Sequence, residues 1–492
     1  MATRSTWPRA LALGLLVLLQ AGCTVFGDYN EATREAREAF VRGDFATAEV
    51  CYREGLDATN DALLYHLEAG LSAHVGRHYP QSFQLFDQAY KQVVAYQDRA
   101  LVEATDLAQK VGTILVNDKA LPYTGELFEQ VMLQAYQAKN VFLQGKRAGV
   151  ITEALRCNDI VDKGRRIYEA ELRATEAEQQ KRGTKGVDVA GVEAKMREAY
   201  AYEGLILNEP EDVYDLKYVR YLTAFLRDAV ADRQADYNSA LIDMKFVADR
   251  FGEVGWVRRD LERLTALSGA PGDAKQMREK WGLSELPADA GSVALFFEAG
   301  MAPKKHELKV IFPTFSGAAA FAFPIYVPVP NPVHGAILEV GSQRAETLAL
   351  TNLEQVAFRY HQDRLPLLIA RQIIRIAVKV ATQEGGRAVI ANNANGLAAL
   401  AFTVSASVWN VVSEQADLRC WRTLPQTLQA TRLYLPPGDY PARLVLLGKG
   451  GAQLGAQDLG TVRIAAGKHR MIDARALGRR AYVDVPREPY DG

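Results

Sequence analysis

Cysteine and histidine are scarce in this chain, with four and seven among 492 residues. Cys51, Cys157 and Cys420 lie far apart and are odd in number once Cys23 is set aside, which excludes a disulfide framework and leaves one thiol unpaired. Cys51 and Cys157 fall on apolar faces of expected helices, where each serves as a small buried hydrophobe. His74 and His78 share the i, i+4 spacing of a helical metal pair, but Gly76 places a turn between them, so no metal site is expected. An excess of one charge is also missing. Lys and Arg number 58 against 59 Asp and Glu, which gives no basic surface for nucleic acid and none to draw the whole body onto anionic lipid. There is no Gly-rich phosphate loop ending in Lys, no His-Glu-x-x-His and no Gly-x-Ser-x-Gly, so neither catalysis nor a cofactor is expected. What remains is an apolar content of 48% and a charged content of 24%, ordinary for a globular protein with two or three domains.

The first 23 residues are a distinct segment. Arg4 and Arg9 precede an uncharged apolar run from Ala10 to Leu19, too short to span a bilayer and suited to a secretory signal. The run closes on Ala21-Gly22-Cys23, which resembles the bacterial lipoprotein signal, with Gln20 standing where that pattern has Leu. The resemblance implies removal of residues 1–22, lipidation of Cys23 and, with Thr24 rather than Asp next, delivery to the outer membrane facing the periplasm. Acyl chains hold firmly because each buried methylene contributes about 0.8 kcal/mol. The alternative is an ordinary cleaved export signal.

Residues 23–285 read as helical, and their first part repeats. Ala36, Phe40, Phe45, Ala48, Tyr52 and Gly55 are answered 34 residues later by Gly70, His74, Tyr79, Ser82, Phe86 and Ala89, with Gly43-Asp44 and Gly76-Arg77 at the turns. Small residues recur where helices approach closely and aromatics where a knob fills a groove. The period and this alternation resemble the tetratricopeptide repeat, which implies a solenoid of stacked helix pairs. Further pairs are expected at Tyr123–Leu155, with a turn near Gly145, and at Tyr218–Val247. The charged stretch Arg165–Arg182 is expected to protrude as a solvated helix, and helical character continues to about Trp281.

Beyond Pro287 the period changes to short runs rich in β-branched and aromatic residues. Val293–Phe297, Glu307–Phe312, Ala336–Val340, Thr431–Leu435, Tyr440–Leu447, Thr461–Ile464 and Arg470–Asp473 are expected strands, with Pro436-Pro437-Gly438-Asp439 as a hairpin turn. The expected fold is therefore α+β: an α-helical repeat solenoid followed by a β-rich, sandwich-like domain over 290–492, split by a helical hairpin at about 360–415. In that insert Arg371, Arg375 and Lys379 form a basic stripe at i, i+4, i+8, a candidate contact for lipid phosphates. Gly396–Val412 is nearly uncharged, and at 17 residues it sits at the short limit for a membrane span.

Two polar clusters stand out. Tyr123-x-Gly125-Glu126-x-x-Glu129 opens a helix, where carboxylates are favoured, and is a candidate partner-binding edge of the repeat groove. Asp417-x-Arg419-x-Trp421 is expected to lock the insert to the sheet by charge-assisted hydrogen bonds. Together with Glu298–Pro303 and Leu435–Asp439, these stretches resemble a family of bacterial envelope lipoproteins with N-terminal tetratricopeptide-like repeats. That resemblance implies a role near peptidoglycan synthesis or envelope assembly and carries no activity. The function expected is a non-enzymatic, lipid-anchored scaffold that binds an envelope protein through its repeats. The alternative is a lipid- or glycan-binding protein acting through the C-terminal domain.

Overall fold

A computed structural model of the chain describes residues 29–103, 118–181, 212–314, 317–383 and 415–486. Cys23, Gln20 and Gly396–Val412 lie outside the described residues. Helices come first and sheets follow, and the change falls between Trp281 and Gly291. After a single turn at Tyr29–Ala32 the helices are α1 (Arg34–Arg42), α2 (Phe45–Arg53), α3 (Ala62–Val75), α4 (Tyr79–Glu103), α5 (Leu127–Leu143), α6 (Arg147–Lys181), α7 (Lys217–Val230), α8 (Gln234–Phe251), α9 (Gly255–Leu267) and α10 (Pro271–Trp281).

The 34-residue echo marks interior positions. Phe40, Ala48 and Tyr52 and their counterparts His74, Ser82 and Phe86 are all buried. Gly70 is where α3 meets α4: a Cβ there would stand 2.6 Å from the Phe86 ring, and Ser82 Oγ donates to the Gly70 carbonyl at 2.8 Å. Gly70→Val is therefore expected to overpack this contact and cost about 1–3 kcal/mol, read as a lower denaturant midpoint at unchanged slope. In the first turn, Gly43 takes the left-handed conformation and Asp44 caps α2 by accepting from Thr47 N at 3.2 Å. In the second turn the positive φ falls on Arg77 instead of Gly76. Its guanidinium donates to the Val483 carbonyl, at the far end of the sequence, and that contact offsets the roughly 1–2 kcal/mol cost of a left-handed non-glycine residue.

The charged stretch after Arg165 does not protrude as an isolated solvated helix. It is the second half of α6, a continuous helix of 35 residues, and Ile167, Ala170 and Ala174 are buried along it.

The strands are β1 (Gly291–Ala299), β2 (Lys304–Thr314), β3 (Gly317–Val327), β4 (Gly335–Val340), β5 (Gln343–Glu346), β6 (Leu348–Asn352), β7 (Thr427–Leu435), β8 (Gly438–Leu447), β9 (Gln453–Ile464), β10 (His469–Leu477) and β11 (Arg480–Asp484). Helix α11 (Leu353–Gln383) follows β6 directly, capped by Asn352 Oδ1, so the insert begins before the expected residue 360. A five-stranded sheet has the order β11-β10-β1-β7-β6, with β1 and β10 parallel, and a four-stranded antiparallel sheet has the order β5-β4-β8-β9. Among the described residues β2 and β3 pair only with each other. Pro436-Pro437 is not a hairpin turn: it carries the chain out of β7 in one sheet into β8 in the other.

The period of two along β1 assigns its two faces. Val293, Leu295 and Phe297 pack with Leu338, Leu444 and Val462 of the four-stranded sheet. Ala294 and Phe296 join the helical core, where Phe296 meets Tyr218, Tyr221 and Phe225 of α7. Three layers result, with helices, the five-stranded sheet and the four-stranded sheet stacked in that order. A helix face that the sequence leaves open to a partner is covered by the chain's own sheet.

Candidate functional site

The sheet meets the helices through charge as well as through apolar contact. Glu298, Asp473, Arg475 and Arg432 stand on the helix-facing side of β1, β10 and β7, and all are buried or nearly so. Lys139 of α5, itself 1% exposed, donates to Glu298 Oε1 at 2.6 Å and to Asp473 Oδ1 at 2.7 Å. Burial alone would lower its pKa, but Asp473 and Glu298 outweigh that and raise it above the ordinary lysine value. His74 Nε2 lies 2.9 Å from Asp473 Oδ2, and Tyr136 Oη donates to Glu298 Oε2 at 2.7 Å. A second set joins α7 and α9 to β7. There Asp228 accepts from Arg263 and from Arg432 at 2.9 Å, while Arg432 also donates to Asp260 at 3.1 Å.

That second set contains a serine, a histidine and an aspartate in line. Ser292 Oγ is 2.9 Å from His469 Nδ1, and His469 Nε2 is 3.6 Å from Asp228 Oδ2. Ser292 is fully buried, its oxygen accepts from Arg432 Nε at 2.9 Å, and it does not line the cavity that His469 and Asp228 border. That cavity measures about 410 Å³, but the guanidiniums on it are spent within the chain: Arg147 on the Val230 carbonyl and Asp232, Arg263 on Asp228, Arg278 on Glu262 and Glu285.

The two clusters singled out in the sequence meet in one clasp. Glu129 Oε1 accepts from Trp421 N at 2.8 Å, while Oε2 accepts from Glu126 N at 2.9 Å and from Tyr123 Oη. Tyr123 and Glu129 are thus interior residues that hold the segment returning from the insert. Beside them Glu68 accepts from Arg422 N at 2.7 Å and from Thr423 Oγ1. Arg419 donates to Asp417, to Asp61 at 2.9 Å and to the Leu121 carbonyl at 3.0 Å, while Trp421 is buried against Phe86 and Tyr136. Burial, with the neighbouring Glu126, pushes the Glu129 carboxyl up to about 7. A raised carboxyl contributes stability that is full below the ordinary carboxylate range and lost as pH climbs through 7. His361, pushed down to about 4 by burial, acts below its ordinary 6.5 and with the opposite slope. His469 and His66, also lowered by burial, add to that opposite slope, so the expected signature is a difference between two chains. Between about pH 5 and 7 the denaturation midpoint of Glu129→Gln rises relative to that of the unsubstituted chain, because the variant lacks the contribution that Glu129 loses.

Glu126 points elsewhere. With Lys305 of β2, Tyr326 of β3, Glu171 of α6, and Arg364 and Arg371 of α11, it lines a cleft of about 320 Å³ between helices and ribbon. Lys305 Nζ donates to Glu126 Oε1 at 2.7 Å and lies 5.3 Å from the Tyr326 ring centroid. Burial raises the Glu126 carboxyl and lowers the Lys305 ammonium, but their mutual attraction outweighs both and keeps the pair ionised. Arg364 donates to Glu171 at 2.7 Å and stacks 5.3 Å from the Tyr360 ring. Five cations face three carboxylates around the cleft, and four tyrosines border it. Arg419 and Asp417 form one rim. Arg371 lies on the wall, 3.5 Å from Glu171, while Arg375 is buried and the Lys379 side chain lies outside the described residues.

Two polar atoms of the wall are buried without a hydrogen-bond partner among the described residues: Tyr326 Oη and Arg371 Nε. Both are donors. Lys305, Tyr326, Glu171, Tyr360, His361 and Arg364 were missed in the sequence. The available signal was Tyr360, Arg364, Leu368 and Arg371, which share one face of a helix at spacings of four, four and three. Among the described residues no group of His, Cys, Asp and Glu is arranged to hold a metal, and no helix is long and apolar enough to cross a membrane. Compared with known proteins, the chain matches no family, no curated protein and no solved structure.

Proposed function

We propose that the chain is a lipid-anchored, non-catalytic binding protein of the bacterial envelope, tethered through Cys23, that takes an anionic ligand in the cleft between α6, α11 and the β2–β3 ribbon. The observation that carries the ligand is the cleft itself, about 320 Å³, where five cations face three carboxylates and four tyrosines border the space. The helices, read as tetratricopeptide-like pairs, then act as the frame that holds one wall of the cleft.

The scaffold reading keeps one observation in its favour. Val41 and Val50 on the outer side of the first helix pair are 48% and 62% exposed, and a protein partner would use that side rather than the sheet-covered one. A photo-crosslinking residue placed in cells at Thr124, beside the cleft, and separately at Val50 distinguishes the two. Small-molecule or lipid adducts at 124 that vanish with Cys23→Ala are expected. Protein adducts at 50 with none at 124 would favour the scaffold and overturn the cleft.

A further inference from the structure

Helix α11 carries a proline in its interior, and the break falls in the wall of the cleft. Pro366 has no N–H to give the Gln362 carbonyl, so the helical ladder is interrupted there. The next carbonyl, that of Asp363, accepts from Tyr168 Oη of α6 at 2.8 Å, a partner outside its own helix. Tyr360 and Arg364 stand before the break, Leu368 and Arg371 stand after it, and all of them line the cleft. One wall is thus made of two helical pieces.

The pieces are held differently. Before the proline, Leu353 N donates to the Gln426 carbonyl at 2.8 Å and Glu354 accepts from Gln426 Nε2 at 2.7 Å. Val356, Ala357 and Tyr360 there belong to the helical core. After the proline, Leu367, Ile369 and Ile374 are buried but belong neither to that core nor to the one between the sheets. Gln372 Nε2 donates to the Ala322 carbonyl of β3 at 2.7 Å, in a ribbon whose described strands pair only with each other. Glu171 of α6 spans the break. Its Oε2 accepts from Arg364 at 2.7 Å, and its Oε1 lies 3.5 Å from Arg371. One carboxylate therefore ties the second piece to the first, and its hold on the second is the longer contact.

The cleft also needs an opening. Lys305, Tyr326, Tyr360 and His361 line it, yet each is no more than 8% exposed. A ligand reaches these groups only when a wall moves, and the wall with a broken ladder is the one built to do so.

We infer that the second half of α11, residues 367–383, is a lid that swings about Pro366, with Glu171 as the latch that keeps it shut. The motion needs no ligand; its role as a lid rests on the binding reading above. The outer part of the ribbon, at Ala322, travels with the lid through Gln372, while its root stays with Glu126 through Lys305. A few residues at the end of a rigid piece absorb such a change, as hinges do.

Amide hydrogen exchange of the full chain, without ligand, reads the two halves of α11 separately. Residues 353–365 are expected to share the high protection of the helical core, with 367–383 protected at least about tenfold less. Glu171→Gln should lower the protection of 367–383 about another tenfold, the loss of one charge-assisted contact, and leave 353–365 unchanged. Pro366→Ala restores the missing N–H and should bring both halves to one level. Equal protection of the halves in the unsubstituted chain would overturn the hinge and leave the cleft reading standing. Low protection of 367–383 that persists in Pro366→Ala would overturn the hinge too, and an equal loss in both halves of Glu171→Gln would overturn the latch. With hinge and latch upheld, a cleft that yields no adducts from position 124 in cells would overturn the lid's role and the reading beneath it.

Discussion

Lys139→Met is expected to lower folding stability by about 3–5 kcal/mol, the cost of removing one partner from a buried ion pair. Lys139 is the one cation within bonding distance of both Glu298 Oε1 and Asp473 Oδ1 among the described residues. A methionine there fills the volume and leaves two carboxylates facing each other in the interior. The pH dependence gives the prediction a sign. Burial would raise the Asp473 carboxyl, but Lys139 and the His74 bond hold it below the ordinary carboxylate range. A depressed carboxyl contributes stability above its unfolded value and loses it as pH falls toward the folded one. In the variant that contribution is gone, and protonation relieves the repulsion instead. The stability gap between the two chains should therefore be widest near pH 7 and narrow towards pH 4. Guanidinium denaturation at the two pH values measures it, and a gap below 1 kcal/mol at pH 7 would contradict the role given to Lys139.

Asp228→Ala is expected to be of similar size, about 3–5 kcal/mol, for the complementary reason. Its carboxylate is fully buried and neutralises Arg432 and Arg263 together, and these hold it well below the ordinary carboxylate range against the effect of burial. Without it, Arg432 retains Asp260 at 3.1 Å while Arg263 keeps only the Tyr434 hydroxyl at 3.1 Å. Arg263→Met in the Asp228→Ala background should recover much of the loss, because it removes the cation left unpaired. No recovery in that double variant would mean that the loss arises from the cavity rather than from charge.

The division into helices and sheets was legible because the apolar period shifts from 3.6 to 2 near Pro287. The repeat was legible in part: the small and aromatic positions it marks are interior, as Gly70 against Phe86 shows. The strands that escaped notice have plain physical reasons. β3 is rich in alanine and carries Pro324, and β5, β6 and β11 are short. The helix-facing side of the five-stranded sheet was invisible for a deeper reason. Glu298, Asp473 and Arg475 alternate with apolar residues in the way a solvent-facing side does, and only the distant Lys139 and His74 reveal that this side is inside. The cleft draws on α4, the segment Leu121–Glu126, α6, α11, the β2–β3 ribbon and the 417–419 rim, a convergence that no local spacing encodes.

The central claim is that the helices' inner side is closed by the chain's own sheet, leaving the cleft as the place for a ligand. Amide hydrogen exchange followed by mass spectrometry tests this directly on the peptides covering Leu127–Leu143 and Gly291–Ala299. The account predicts that both belong to the slowest-exchanging class and open together, as parts of one cooperative core do. Fast exchange across Leu127–Leu143 beside a protected Gly291–Ala299 would show an open helical groove and contradict it.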